Sequence, residues 1–442
     1  MSHCAKKAAN VRGTLRLPRT LVSCSPMTTR TLAPPRDEGG ARPAAGGPSR
    51  LAWLDALRGV AALVVALHHA TYDYLPGPRA ALLAWFDPGT YGVMVFFLVS
   101  GYIVPASLER GGDVRRFWIG RLFRIYPLWL VACGAAVALM AAGLYRERGG
   151  PGPAVAVLAH VTMMQDLLAV PSVLNVLWTL SYEMAFYLLV VALFTAGLHR
   201  RSAHHALLFA AGALVLGGLP PALLSVRAGV GAVAVGAAAL TAAAIVLAAR
   251  GHRLGGLLGA VPALLLVVLN GRVGAAEGLT ILAVMFAGTA VYRIERGELA
   301  PRPALLGLGA VLVTALVAAA VHLDAAARSW SLALAAAAAT FGLGLLARRL
   351  PMPRALVALG VISYSVYLLH PVLLAIFRVL LGGNGPDRPD RGSVPLLLLF
   401  TAVLLALSWT TQRYVEAPMQ RLGKRLARPG RRASGAAAGR PT

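Results

Sequence analysis

Arg58-Gly-Val-Ala-Ala-Leu-Val-Val-Ala-Leu-His-His69 is an apolar run closed at each end by an ionisable side chain. Arg58 and His69 stand eleven positions apart. At about 100° per residue a helix returns both to nearly one face, with roughly 16 Å of axial rise between them. Ionisable groups in a lipid-facing helix are costly, so two on one face need partners or a function. The stretch predicts a membrane helix turned toward a bundle interior, with a buried site reachable from both sides of the bilayer.

The rest of the chain agrees. Its 442 residues are 58% hydrophobic and only 13% charged, with a mean hydropathy of +0.69. A soluble core of that size needs a more polar surface, which leaves an all-α, polytopic transmembrane helical bundle. The formal charge of +25 does not point to nucleic acid. The basic residues gather in the two tails and in short clusters between apolar runs, as the positive-inside rule predicts. Cys4, Cys24 and Cys133 have neither CxxC nor ligand spacing, so no disulfide framework and no metal site are expected.

Residues 1–50 read as a disordered basic N-terminal tail without the continuous apolar region of a signal peptide, and Met27 is a candidate start. Residues 426–442 read as a disordered basic C-terminal tail. Apolar runs fall at 56–74, 90–108, 125–144, 176–197, 205–224, 229–249, 255–270, 278–293, 303–322, 329–347, 355–381 and 394–411, which predicts ten to twelve spans. Alternate connections carry the arginines: Arg115 to Arg124, Arg200 with Arg201, Arg250 with Arg253, Arg293 with Arg296, Arg348 to Arg354, and Arg413 onward. That bias predicts a multi-pass protein of the cell membrane with both termini in the cytoplasm. The opposite connections, 146–175, 271–277, 323–328 and 382–394, are poorer in net charge or mixed and are expected to be variable outer loops that set specificity.

Several blocks, taken in order, resemble a known family. They are Leu54-Asp-Ala-Leu-Arg-Gly-Val-Ala-Ala62 leading to His68-His69, Val95-Phe-Phe-Leu-Val-Ser-Gly-Tyr102, and Arg116 with Arg121-Leu-Phe-Arg-Ile-Tyr-Pro127. Further on come Leu177-Trp-Thr-Leu-Ser-Tyr-Glu-Met-Ala-Phe-Tyr187, Phe286-Ala-Gly-Thr-Ala-Val-Tyr292, Ser363-Tyr-Ser-Val-Tyr-Leu-Leu-His-Pro371 and Arg413-Tyr-Val-Glu-Ala-Pro418. Together they are similar to the membrane-bound acyltransferase 3 family over residues 51–425. The resemblance implies transfer of an acyl group, often acetyl, to a hydroxyl of a glycan, lipid-linked sugar or glycosylated small molecule. Acyl-CoA, in the first instance acetyl-CoA, is the implied co-substrate, with no bound cofactor. The family's Arg-x10-His element falls on Arg58 and His69. Some members carry a fused hydrolase-like domain that completes the transfer; the basic tail here implies direct acylation or hand-over to a separate protein.

The residues can also be weighed for their chemistry. O-acylation needs a base for the hydroxyl proton, a bound donor and stabilisation of an oxyanion. His69 is the best base, because a buried neutral imidazole can accept a proton. His68 points about 100° away and is expected to support or pack. Arg58 fits either a donor contact or a positive-inside residue. Arg121 and Arg124 share a face at i,i+3 and, with Arg116, are expected at the donor. Glu183, ringed by Trp178, Tyr182, Phe186 and Tyr187, is expected to hold His69, pair with an arginine or meet the acceptor. Tyr187, Ser100, Tyr367 and His370 are supporting candidates, with Pro371 kinking the helix after His370. Ser100-Gly101 suits close helix approach better than nucleophilic attack. The rival reading is a transporter or flippase of a glycolipid or small solute, whose cavity would also carry charge.

Overall fold

The computed structural model describes residues 51–145, 149–381 and 393–427. The expectations of a disordered leader, a start at Met27 and a disordered tail from 428 onward lie outside these residues. Among the described residues the chain is helical throughout, with no β-strand. In order come α1 (Ala52–Tyr74), α2 (Pro76–Leu83), α3 (Pro88–Gly111), α4 (Val114–Ala141), α5 (Pro153–Val161) and α6 (Trp178–Thr195). There follow α7 (Ser202–Leu216), α8 (Leu223–Ala228), α9 (Val230–Ala249), α10 (Arg253–Leu269), α11 (Ala275–Glu295) and α12 (Pro301–His322). The last are α13 (Ala327–Leu346), α14 (Arg354–Val361), α15 (Ser363–Leu380), α16 (Val394–Thr411) and α17 (Ala417–Leu426).

Nine helices among the described residues are long and apolar enough to cross a membrane. Two more apolar helices, α7 and α10, are shorter. Helix α1 has 23 residues, about 35 Å at 1.5 Å each, but Asp55, Arg58, His68, His69 and Asp73 dilute its hydropathy. All twelve apolar runs therefore lie on helices, with two corrections. The run 205–224 stops at Leu216, where Gly217-Gly218 and Pro220-Pro221 cannot hold a helix. The run 355–381 is two helices, α14 and α15, broken at Ile362.

The helices alternate in direction and sort their termini into two ends. At one end Arg293 bridges Glu109 of α3, Glu298 and the His199 carbonyl, and Arg348 meets Glu295. This is the arginine-rich end. At the other, which we call the histidine end, lie His69, the Asp87 cap of α3, Asn175 and the Arg378–Asp73 pair at 2.9 Å. Small residues let the helices meet. A Cβ at Gly101 of α3 would run into the Met285 backbone of α11, one at Gly288 into the Leu98 carbonyl, and one at Gly360 of α14 into the Asp55 backbone of α1. This is small-residue packing as used between membrane helices. Beyond α16 a π-helical turn, Gln412–Glu416, buries Glu416, whose Oε1 accepts from the Ser365 hydroxyl at 2.5 Å.

The connection from α5 to α6, expected to be a variable outer loop, folds into the bundle. Gln165, Asp166, Leu167, Leu168 and Leu174 are buried. His160 Nε2 accepts the Val173 amide at 3.0 Å, and Gln165 Nε2 donates to the Leu177 carbonyl at 2.6 Å. Burial pushes the Asp166 carboxyl up to about 6, against the Tyr182 hydroxyl and the charge of Arg272, which pull it down.

Two outcomes are expected. Gly101→Ala meets backbone that cannot swing aside, so it lowers stability by about 1–3 kcal/mol. Gly120→Ala in α4, with nothing within 4 Å of the new Cβ, leaves it unchanged or raises it by up to about 1 kcal/mol. Thermal unfolding of the detergent-solubilised protein compares the two. Asp166 supplies the second. Between its unfolded value of 3.8 and about 6 the folded chain holds the extra proton. Its contribution is therefore fully present below 3.8 and lost as pH rises through 6. Asp166→Asn removes that slope, so the melting midpoint of the variant relative to wild type rises between pH 5 and pH 7.5.

Candidate functional site

Helix α1 carries a polar group to each of two cavities. Toward the histidine end a cavity of about 310 Å³ is lined by His69, Tyr72, Tyr145, Asn175, Pro371, Leu374 and Arg378. Deeper toward the arginine-rich end a slender one of about 70 Å³ contains Arg58, Ser100, Arg124, Glu183, Tyr187, Tyr364 and Tyr367 among its lining residues. The separation follows from the sequence: Arg58 is eleven residues before His69 on α1, and Glu183 is eight after Asn175 on the chain leading through α6. Those spacings correspond to about 16 Å and about 12 Å of helix.

At His69 the hydrogen bonds fix the tautomer. His370 is fully buried, and its Nδ1 lies 3.1 Å from the Val366 carbonyl, which can only accept. Nδ1 therefore carries the proton. The Tyr367 carbonyl is a second acceptor for the ring; Pro371, four residues on, has no N–H to occupy it. With Nδ1 carrying the proton, Nε2 of a neutral His370 ring is a lone pair. Nε2 accepts from His69 Nδ1 at 2.9 Å, with the Val65 carbonyl one turn back as a further acceptor for the same proton. His69 is left with its lone pair on Nε2, at the cavity it lines, where the Asn175 amide nitrogen donates at 3.3 Å. A base oriented by a second ring and a backbone carbonyl is the result.

Around this relay the aromatic rings pack closely. The His69 and His370 rings stack at 5.0 Å, and Tyr72 stacks on His69 at 6.2 Å. Arg79 sits over Tyr72 at 3.4 Å. His68 faces Gly89 at the start of α3 and touches His69 and Tyr72 edge-on.

In the deeper cavity, Arg58 has Arg124, Asp55, Glu183 and Glu416 as electrostatic neighbours. Glu183 Oε1 accepts from the Tyr187 hydroxyl at 2.5 Å. Tyr367 bonds Thr179 at 2.9 Å and the Val176 carbonyl at 3.1 Å, while its ring meets His370 edge-on at 6.0 Å. It thus lines one cavity and backs the other.

The structure brings together Arg58, Arg124, Glu183, Ser100, Tyr187 and Tyr367 in one cavity, and His69 with His370 at the other. It does not put Glu183 at His69, whose nitrogens engage His370 and Asn175 instead. The two arginines spaced i,i+3 also part. Arg124 lines the cavity, whereas Arg121 donates to Ser107 at 2.9 Å and lies over Phe117 and Tyr187. Arg116 is exposed in the first turn of α4 and lines neither cavity. Sequence reasoning missed Asn175, Asp55 and Glu416. Asp55 and Glu416 sat within recognised blocks, passed over beside stronger residues, and Asn175 lay one position outside the predicted span. Among the described residues no group of three His, Cys, Asp or Glu could hold a metal ion.

Residues 51–413 match the family described as an acyltransferase domain, Acyl_transf_3. The chain is 34% identical over 151 residues to acyltransferase MdmB of Streptomyces mycarofaciens, an alignment covering 31% of this chain and 38% of that protein. It is 26% identical over 153 residues to peptidoglycan O-acetyltransferase OatA of Listeria monocytogenes, covering 31% of this chain and 23% of that one. The similarity thus spans less than two fifths of either relative. No solved structure matches the chain. With the family match running from the start of α1, which carries Arg58 and His69, to the end of α16, the chain belongs to the Acyl_transf_3 acyltransferase family.

Proposed function

We propose that residues 51–425 form a membrane O-acyltransferase domain that moves an acyl group, in the first instance acetyl, from acyl-CoA to a hydroxyl on a glycan, lipid-linked sugar or glycosylated small molecule. The observation that carries this reading is the relay from Val366 through His370 to His69, which leaves a lone pair on His69 Nε2 at the lip of a polar cavity. Acyl transfer needs such a base, and solute transport does not. The cavity volume of about 310 Å³ is at the lower end of the range for small-molecule pockets, which suits a sugar hydroxyl presented there. By the positive-inside rule the arginine-rich end and both termini are cytoplasmic, and the histidine end opens outward.

The donor enters from the arginine-rich end. Its anionic head meets the exposed Arg115 and Arg116 at the start of α4, since Arg58 and Arg124 are already flanked by Asp55, Glu183 and Glu416. The acylated arm lies along the slender cavity beside Arg58, Arg124 and Glu183. A donor with a phosphorylated head and a long flexible arm suits the roughly 16 Å between Arg58 and His69. The relatives' names support the acyl class: one is an acyltransferase and the other a peptidoglycan O-acetyltransferase.

Purified full-length protein supplied with radiolabelled acetyl-CoA and a membrane glycan fraction should label the glycan, and His69→Ala should abolish labelling. Survival of label transfer in His69→Ala refutes the mechanism. Arg124→Ala is expected to raise the KM for acetyl-CoA several-fold and leave that for the acceptor alone. A shift in the acceptor's KM instead would move the donor path elsewhere.

A further inference from the structure

Resting on that reading, we infer that Asn175 is a catalytic residue: its side-chain amide donates the hydrogen bond that stabilises the oxyanion formed on the acyl carbonyl. His69 can take a proton, but a thioester carbonyl under attack also needs a donor for the charge that develops on its oxygen. The donor has to lie within several ångströms of the base, because hydroxyl oxygen, acyl carbon and carbonyl oxygen are consecutive atoms. Asn175 Nδ2 is 3.3 Å from His69 Nε2 and lines the same cavity.

The orientation of the amide follows from the relay. His69 Nε2 is a lone pair, so Asn175 presents its NH2 group and not its oxygen. The contact is a single N–H···N bond of 3.3 Å, which a stronger donor to Nε2 can replace. Nε2 has one lone pair, so the acceptor hydroxyl that donates to it displaces the Asn175 N–H, which then turns to the acyl carbonyl as the oxyanion develops and the proton passes to Nε2. The atoms balance: the hydroxyl oxygen bonds the acyl carbon, the C=O π pair moves to oxygen, and the proton goes to Nε2. Collapse restores C=O, breaks C–S, and the leaving thiolate takes the proton from Nε2.

The cavity also holds Arg378 and the hydroxyls of Tyr72 and Tyr145, but among its described lining residues Asn175 is the one bonded to His69 Nε2. Arg378 is clamped on Asp73, its Nε donating to both carboxylate oxygens at 3.1 and 3.0 Å. Tyr72 carries the Arg79 guanidinium on its face. Asn175 is also held in place by its neighbours. The Val176 carbonyl accepts from Tyr367 at 3.1 Å and Thr179 at 3.0 Å, the Leu177 carbonyl accepts from Gln165, and the Val173 amide is held by His160. Such fixed positioning is what makes an oxyanion donor effective.

The test uses the full-length protein, radiolabelled acetyl-CoA and a membrane glycan fraction. Asn175→Ala is expected to lower kcat about 100- to 1,000-fold, with the KM for acetyl-CoA within twofold. Asn175→Asp, of the same shape but without the N–H, should fall at least as far and guards against a folding defect in the first variant. In Asn175→Ala the acidic limb of the pH–rate profile should keep its position and lose only height; Asn175→Asp, whose new carboxylate beside His69 moves the limb by itself, is compared by its maximal rate. Residual activity within threefold of wild type in either variant overturns the proposal. So does a displaced acidic limb in Asn175→Ala, which would assign Asn175 to tuning His69. Absence of transfer by the wild-type protein overturns the acyltransferase reading itself, and this inference with it.

Discussion

Helix α1 cannot be buried alone. It carries Asp55, Arg58, His68, His69 and Asp73, each of which would cost several kcal/mol if left without a partner in hydrocarbon. The rest of the bundle supplies what they need. Asp73 is matched by Arg378 of α15, His69 by His370 of α15 and Asn175 ahead of α6, and Arg58 by Glu183 of α6 and Glu416 beyond α16. These contacts reach across most of the chain, so the order of the helices around α1 is set by electrostatic need as much as by packing. The glycines at 59, 92 and 360 then let α3 and α14 approach closely enough for the pairings to form.

That division explains how much of the fold was legible. Span positions follow from local hydropathy, and all twelve apolar runs became helix. The errors came where local backbone chemistry overrode hydropathy. Residues 205–224 are apolar enough to continue, yet the glycine and proline pairs after Leu216 end the helix. At 355–381 the apolar pattern runs unbroken through Ile362 while the backbone does not. The buried path of 162–174 was invisible for a different reason. Gln165 and Asp166 read as loop residues, and only their tertiary partners, Leu177 and Tyr182, turn them inward.

The site divides in the same way. The shared face of Arg58 and His69 is a property of one helix and could be read from spacing; so could the i,i+4 pair Glu183–Tyr187, which is hydrogen-bonded. The partners of His69 could not. His370 is 301 residues away and Asn175 is 106 away, and no periodicity links them. Glu183 was the natural guess for His69 because a carboxylate is the commonest partner for a catalytic imidazole. Helix rise sets it too deep: Asn175, about 12 Å nearer the histidine end, occupies the level of His69. Arg121 shows the opposite limit, since sharing a face with Arg124 on one helix did not give both residues the same neighbours.

Tyr367, Thr179 and Phe96 line the deeper cavity and wall it on the side toward His370: Tyr367 and Thr179 bond at 2.9 Å, Phe96 packs on the Tyr367 ring at 5.4 Å, and that ring meets His370 at 6.0 Å. A wall of this kind reconciles two demands that a transferase spanning a bilayer would face. It must keep ions and water from crossing between the arginine-rich and histidine ends, which bulky rings do well. It must also yield to an acyl arm. A net hydrogen bond is worth about 1 kcal/mol, small beside the barrier to acyl transfer, so opening the Tyr367–Thr179 bond adds little to turnover. The Tyr367 hydroxyl also holds the Val176 carbonyl, but Thr179 donates to the same carbonyl at 3.0 Å, so the segment carrying Asn175 keeps an anchor when the ring moves. For the transfer proposed here, the acyl arm can therefore pass Tyr367 while the Asn175 amide stays in place to receive it.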